Sequence, residues 1–189
     1  PLKDGKLKPV ENAYCAGDCA ETIHLVSGKP FAPQLGTIAL RMGAVAGVNA
    51  VGGHSTFSGA LGTFISKIFN LEVASTGLTK KRAEALGINV VTGIVSWRTK
   101  AGYFPGWKHI IVKILADAET LKIIGGQIVG EEAVLGRINA IALAIQSGMT
   151  LHDVAKADFG YVPPLSDPLE PISLAAKSAL KKISEETIV

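Results

Sequence analysis

The chain has 189 residues, 48% of them hydrophobic and 19% charged, a composition typical of a folded globular protein with a substantial core. Its 19 basic and 16 acidic residues are interspersed and leave a formal charge of +3, which argues against a nucleic-acid partner. No apolar run reaches the roughly 20 residues that span a bilayer, and the first residues lack the apolar region of a secretory signal. Two cysteines make no disulfide framework, so we expect a reducing, cytoplasmic location.

The first part of the chain predicts a strand, a loop and one helix. Residues 7–16 have the character of a short strand that leads into Gly17, and residues 21–34, with two prolines and no periodicity, predict a loop. Residues 36–51 predict a helix with one apolar stripe and a second stripe of glycine and alanine. Because an interior glycine costs a helix about 1 kcal/mol relative to alanine, we expect a sheet to pack very close to this second stripe.

The next part predicts an antiparallel sheet. Residues 63–76, 88–97 and 109–130 are rich in β-branched and aromatic side chains and follow one another closely. Between the first two of these segments, "LTKKRAEALG" predicts a short helix that Thr79 caps and Gly87 ends.

Helices are predicted to follow the sheet. The first covers residues 137–148 and stops at Gly148, and the second opens with Thr150 and Asp153 at the spacing of a capping box. The last begins near Pro171 and buries one apolar face, comprising Ile172, Ala175, Ala179 and Ile183.

These elements predict an α+β fold whose natural boundary lies near Gly53. A strand and one helix cannot bury both of their faces alone. We therefore expect residues 1–53 to be the end of a larger domain and residues 54–189 to be a complete unit, an antiparallel sheet flanked by helices. Either the rest of the first domain is missing or a partner chain supplies it.

The two cysteines are the first candidate site, a metal or dithiol centre. Cys15 and Cys19 are separated by three residues, unlike the two-residue spacing of zinc knuckles and thioredoxin-like motifs, and the four histidines are scattered singly. Because Cys15 falls within the predicted strand, we interpret both cysteines as packing residues and predict no metal site.

Asp18 is the second candidate, because it directly follows Gly17 at the end of the predicted strand. Open α/β sheets bind ligands at the carboxyl ends of their strands, and a carboxylate there accepts hydrogen bonds from sugar or polyol hydroxyls. An aspartate that only caps the loop fits the same position.

Taken together, "AYCAGDCAE" and "PQLGTIALRMGAVAGVNAVGG" resemble the final segment of the FAD-binding domain of pyridine nucleotide–disulfide oxidoreductases. The resemblance is greatest to the branch of NADH oxidases and coenzyme A disulfide reductases. It extends through "YFPG", "LKIIGGQIVG", "INAIALAIQSGMTLHDV" and "YVPPLSDP", in the order of that family's dimerisation domain. This resemblance implies a fragment of an FAD- and NAD(P)H-dependent homodimeric enzyme that lacks its N-terminal FAD- and NADH-binding portion.

The resemblance also implies roles for particular residues. Gly17 and Asp18 would meet the ribityl chain of the flavin, and the helix start, with the backbone of Leu35, Gly36, Thr37 and Ile38, would face the pyrimidine end of the flavin. Free N–H groups and the helix dipole favour the negative charge of a reduced flavin there.

Tyrosines of the dimerisation domain would reach the active site of the partner subunit. Tyr161 lies in the Y-x-P-P motif and Tyr103 in the Tyr/Phe-Pro-Gly turn, where Phe104 is the alternative occupant of the family position. A phenol with a pKa near ~10 stays protonated and donates to a thiolate or peroxide oxygen. Tyr161 as an interface aromatic and Tyr103 as a turn residue remain the alternatives. We expect Arg41 and Arg98 to be solvated or ion-paired.

The sequence contains no G-x-G-x-x-G fingerprint, so we expect neither dinucleotide fold within the chain and no turnover by the chain alone. Two other functions stay open at this point. One is a stand-alone dimerisation module without flavin contact, and the other is a two-cysteine redox or metal protein.

Overall fold

A computed structural model describes residues 13–186, together with the backbone of residues 2–3 and 6–7. The chain divides into two compact units, residues 1–62 and residues 63–189. Within the described residues, no helix is long and apolar enough to cross a membrane.

Among its described residues, the first unit contains four two-residue strands and one helix. The strands form two antiparallel pairs, β1 (Leu2–Lys3) with β2 (Lys6–Leu7) and β3 (Thr22–Ile23) with β4 (Pro30–Phe31), and the helix α1 spans Gly36–Ala50. The predicted helix is therefore confirmed. The strand predicted over residues 7–16 is wrong for residues 13–16, which adopt no regular structure, while residues 8–12 lie outside the described part of the chain. The predicted loop over residues 21–34 also contains β3 and β4.

A small apolar cluster holds the first unit together. Ile38 and Met42 of α1 are buried beside Ala60, and Phe31 and Phe57 pack against them. The cluster uses only one face of α1, since the opposite face exposes Leu40, Gly43, Ala44, Gly47 and Val48. A Cβ added at Gly43 or Gly47 would meet no atom within 4 Å, so the close packing expected for the small-residue stripe is not present among the described residues.

The second unit is built on one five-stranded sheet. Its strands are β5 (Phe64–Ile68), β6 (Leu71–Gly77), β7 (Val90–Arg98), β8 (His109–Asp117) and β9 (Ile123–Gly130). They lie in the order β5-β6-β9-β8-β7, and every neighbouring pair is antiparallel. The antiparallel sheet predicted from the β-branched segments is thus confirmed.

Four helices belong to the second unit, namely α2 (Lys80–Ala85), α3 (Val134–Gln146), α4 (Leu151–Ala155) and α5 (Pro171–Glu186). The predicted caps are confirmed, because Thr79 accepts the Arg82 N–H and Thr150 forms a reciprocal capping box with Asp153. The apolar face predicted for α5 is buried, apart from Ile183, which is half-buried.

Helix α5 packs directly against β7. A Cβ added at Gly93 would collide with the Ala175 carbonyl oxygen and would lie 2.7 Å from the Ala179 nitrogen. Glycine at this strand position therefore allows the two backbones to approach closely, which anchors the end of the chain to the sheet.

Candidate functional site

The turn at Gly17 and Asp18 presents a carboxylate at the surface of the first unit. Gly17 is buried with φ +87°, and its carbonyl accepts the Ala20 N–H over 3.0 Å. A Cβ added at Gly17 would lie 3.4 Å from the Ala39 Cβ in α1. Because φ is positive, glycine is the residue that adopts this turn at least cost. Asp18 is exposed, so its carboxylate is available to a ligand next to the first half of α1.

The start of α1 supplies hydrogen-bond donors in the same unit. Leu35 is the N-cap residue and makes no side-chain cap. The Leu35 N–H donates to Pro33 and the Ile38 N–H donates to the Leu35 carbonyl, over 2.9 and 3.0 Å. Within residues 13–186, the N–H groups of Gly36 and Thr37 meet no backbone acceptor, and both residues are exposed. These groups, together with the helix dipole, favour an electron-rich ligand.

The two cysteines are exposed, and their interpretation as packing residues is wrong. No strand forms at residues 13–16, and the Gly17 turn folds the chain back so that the two sulfurs lie 3.4 Å apart. Among residues 13–186, no cluster of three or more His, Cys, Asp or Glu side chains is arranged to hold a metal ion.

In the second unit, two loops bring Tyr103 and Tyr161 together. The first loop (residues 99–108) joins β7 to β8, and the second loop (residues 156–170) joins α4 to α5. The two phenolic oxygens are 2.7 Å apart, so one hydroxyl donates to the other. The exposed fraction is 76% for Tyr103 and 45% for Tyr161. The hydroxyl that accepts keeps its own proton, so the pair presents an O–H donor to the surroundings.

The contact with Tyr103 favours the protonated form of the Tyr161 phenol. The hydrogen bond to Tyr103 is the main cause that raises the pKa of Tyr161, followed by partial burial and the negative charge of Asp167. Phe104, by contrast, is half-buried, and its N–H donates to the Ala101 carbonyl over 2.8 Å. The phenol that meets Tyr161 is therefore that of Tyr103.

An ion pair ties the second loop to the end of β7. Arg98 Nε donates to Asp167 Oδ2 over 2.9 Å, and the Asp167 side chain is only 4% exposed. Burial alone raises the pKa of Asp167, but the Leu169 N–H and Arg98 together outweigh burial and hold the pKa below its usual range. Arg98 was expected to be solvated or ion-paired, and the ion pair is present.

The first loop is anchored separately at its base. Thr99 is fully buried, and its hydroxyl donates to Glu132 over 2.6 Å and accepts the Lys108 N–H over 2.9 Å. Burial raises the pKa of Glu132, but the Thr99 hydroxyl and the charge of Lys100 outweigh burial and lower it overall. These contacts position the turn that carries Tyr103.

Sequence reasoning missed Asp167 and Glu132, the two carboxylates that anchor the tyrosine loops. Asp167 lies within "YVPPLSDP", the motif that had drawn attention to Tyr161, so the motif carried a usable signal. Glu132 follows directly on Glu131 in a short acidic turn, and nothing local distinguishes its role. Arg41 is exposed, and its guanidinium carbon lies 5.1 Å from the centroid of the Phe57 ring.

The structure thus brings together Tyr103 with Tyr161 in the second unit. In the first unit it places Asp18 in an exposed turn and Gly36 and Thr37 at the start of α1. A profile of the family described as "Pyridine nucleotide-disulphide oxidoreductase, dimerisation domain" matches residues 63–171, which lie within the second unit and include both tyrosines.

Known proteins resemble nearly the whole chain. It is 41% identical over 177 residues to an NADH oxidase of Methanocaldococcus jannaschii, covering 94% of the chain and 39% of the relative. It is 40% identical over 168 residues to an NAD(P)H sulfur oxidoreductase (CoA-dependent) of Pyrococcus furiosus, covering 89% and 38%. The solved NAD-dependent persulfide reductase from A. fulgidus superposes with a TM-score of 0.87 at 35% identity, covering 92% of the chain and 32% of that protein. The chain therefore spans about two fifths of the length of the curated relatives it matches.

Proposed function

The chain belongs to the pyridine nucleotide-disulphide oxidoreductase family, and we propose that it is the C-terminal part of a flavin-dependent NAD(P)H oxidase or disulfide reductase. The observation that carries this proposal is that the similarity to such enzymes extends beyond the dimerisation domain into the first unit, over 94% of the chain. In the complete enzyme, FAD would supply the two-electron chemistry that links oxidation of NAD(P)H to reduction of a disulfide, polysulfide, peroxide or oxygen acceptor. The N-terminal portion would contain the FAD- and NADH-binding folds.

Within this enzyme, residues 1–53, which lie inside the first unit, are the end of the FAD-binding domain. They supply one edge of the flavin site. The Asp18 carboxylate accepts hydrogen bonds from the ribityl hydroxyls, and Gly17 places it there by allowing the turn. The N–H groups of Gly36 and Thr37 fit the pyrimidine end, because both are exposed and without a backbone acceptor among the described residues. When bound, FAD supplies the two-electron redox chemistry, whereas this edge binds and orients it. Leu35 and Ile38 belong to the same turn of α1, in which the Ile38 N–H donates to the Leu35 carbonyl.

The remaining residues, 54–189, form the dimerisation domain of this enzyme, so the functional protein is a homodimer. We place the tyrosine pair, Tyr103 and Tyr161, at the active site of the partner subunit, where it donates a hydrogen bond to an oxygen or sulfur anion. Two features support this role, namely the 2.7 Å contact between the hydroxyls and the raised pKa of Tyr161, which keeps the donor proton in place. Tyr103, rather than Phe104, occupies the functional position.

The flavin contact is tested by Asp18→Asn in the longer protein that this proposal requires. We expect about tenfold weaker retention of FAD, because the hydrogen bonds to the ribityl hydroxyls lose their charged acceptor. Asp158→Asn, which alters another exposed aspartate in the second unit, is the matched control and leaves FAD retention unchanged. The measurement is the flavin absorbance that remains with the protein after gel filtration.

The alternative is a stand-alone dimerisation module without flavin contact, and unchanged FAD retention in Asp18→Asn favours it. The 189-residue chain alone separates the remaining possibilities. We expect it to be a colourless dimer in analytical ultracentrifugation and to show no NADH oxidation. Turnover of NADH by the chain alone contradicts the proposal, because the nucleotide-binding fingerprint is absent from it.

A further inference from the structure

The thiols of Cys15 and Cys19 face each other at the surface of the first unit. Their sulfur atoms are 3.4 Å apart, and both residues are exposed. A disulfide bond needs a sulfur–sulfur distance near ~2.05 Å, so the two sulfurs need to approach by only about 1.4 Å. Neither cysteine has a part in the flavin edge or the tyrosine pair described above.

The local backbone maintains this arrangement. Gly17, at φ +87°, reverses the chain between the two cysteines, and the Ala20 N–H closes the turn on the Gly17 carbonyl. Each thiol is also within reach of a backbone acceptor, Cys19 Sγ at 3.5 Å from the Ala16 oxygen and Cys15 Sγ at 3.7 Å from the Cys19 oxygen. The turn therefore holds the two sulfurs together.

We propose that Cys15 and Cys19 form a reversible dithiol–disulfide couple that small disulfides oxidise. This proposal does not rest on the flavin contact, because it uses only the turn itself. A metal site is a poorer fit to the same two sulfurs. Structural zinc takes four protein ligands, and no third His, Cys, Asp or Glu joins this pair in any metal-holding cluster among residues 13–186.

The reaction is a thiol–disulfide exchange in two steps. The Cys19 thiolate attacks one sulfur of a small disulfide RSSR, which forms a mixed disulfide and releases one thiol. Cys15 then attacks the Cys19 sulfur, which forms the Cys15–Cys19 bond and releases the second thiol. The two cysteines lose two electrons and two protons, and RSSR is reduced to two RSH molecules.

The environment of Cys15 supports this order. The hydrogen bond to Cys19 is the main cause that raises the pKa of the Cys15 thiol, with the charge of a Cys19 thiolate adding to it. Once Cys19 is in a mixed disulfide, that negative charge is gone, and Cys15 ionises more readily and attacks.

The test uses the 189-residue chain, oxidised glutathione and intact-mass spectrometry. Because the chain has only two cysteines, every oxidative change in thiol mass reports on this pair. We expect the wild type to lose two hydrogen atoms and to retain no glutathione. Cys15→Ser and Cys19→Ser are each expected to retain one glutathione, at a level at least about tenfold above that of the wild type, since the intramolecular second step is gone.

Phenylarsine oxide provides an independent readout, because trivalent arsenic is held by two neighbouring thiols. We expect one arsenic per wild-type chain, released by a small dithiol, and none retained on either single variant. Circular dichroism verifies that the variants are folded. Stable glutathione adducts on the wild type, or disulfide-linked pairs of chains in place of the internal bond, overturn the proposal.

Discussion

Replacement of Asp167 by asparagine tests whether the Arg98–Asp167 ion pair holds the second loop, and with it Tyr161, against the end of β7. The substitution keeps the size of the side chain and leaves an oxygen to accept the Leu169 N–H, which lies 2.9 Å from Oδ1. It removes the negative charge that faces Arg98, and it replaces Oδ2, which accepts from Arg98 Nε over 2.9 Å, by an amide nitrogen that cannot accept. The perturbation is therefore confined to one contact, which loses both its charge and its hydrogen bond.

The magnitude follows from the burial of the two partners. Removal of one member of a fully buried ion pair costs about 3–5 kcal/mol, and a hydrogen bond to a charged group contributes about 1.5–3 kcal/mol. The Asp167 side chain is 4% exposed, but that of Arg98 is 39% exposed, so water screens the guanidinium that is left behind. We therefore expect Asp167→Asn to lower the free energy of unfolding at neutral pH by about 1–2 kcal/mol, well below the cost for a buried pair.

Urea denaturation followed by tryptophan fluorescence is the suitable assay, because both tryptophans, Trp97 and Trp107, lie in the second unit. Thermal unfolding is expected to shift by about 2–4 °C for each kcal/mol lost. Arg98→Gln, alone and combined with Asp167→Asn, completes a double-mutant cycle that isolates the energy of the pair.

The pH dependence supplies a second, independent readout. The pKa of Asp167 is lowered in the folded chain, so its stabilising contribution is present above its unfolded pKa of about 3.9 and is lost as the pH falls through the lower folded value. The difference in stability between wild type and Asp167→Asn should therefore shrink below about pH 4. Equal stabilities at neutral pH, or a difference that stays constant into strong acid, would refute the reasoning.

Three further substitutions test other contacts. Gly93→Ala should destabilise the second unit by more than about 3 kcal/mol in urea denaturation, because a Cβ there collides with the backbone of α5; a near-neutral effect contradicts the close approach. Arg137→Ala should cost about 3–5 kcal/mol in the same assay, since it strands Glu170, to which the buried Arg137 donates over 2.7 and 3.0 Å. Tyr103→Phe should lower the pKa of Tyr161 toward its ordinary value, as measured by ultraviolet titration of the phenols, because the Tyr103 hydroxyl is the main cause of the raised pKa; an unchanged titration contradicts the hydrogen-bonded pair.

Much of the fold was predictable because its signals are local. The runs of β-branched residues, the caps at Thr79 and Thr150, and Gly87 and Gly148 after α2 and α3 are all signals that act within a few residues of one another. Such signals fail where a segment depends on distant partners. The strand predicted before Gly17 is such a case, because the described strands of this unit pair only with each other, β1 with β2 and β3 with β4, and none of them pairs with residues 13–16.

The same distinction between local and distant signals applies to the candidate site. The sequence by itself identified Asp18, Tyr103 and Tyr161 through short motifs, since a motif records which residue types stand in order. Only the tertiary structure decided that the two tyrosines share a hydrogen bond across 58 positions and that Arg98 pairs with Asp167 across 69. Contacts of that separation depend on how the sheet and its loops close, which no local pattern specifies.

The cysteines show most directly why a local sequence pattern does not determine exposure. The position of Cys15 within a predicted strand favoured burial, because a sequence carries only local indications of burial. Exposure is a property of the whole folded unit, and the positive φ of Gly17 turned both sulfurs outward and toward each other. The order of residues determined that two thiols lie close along the chain, whereas the tertiary structure decided that they face each other at the surface.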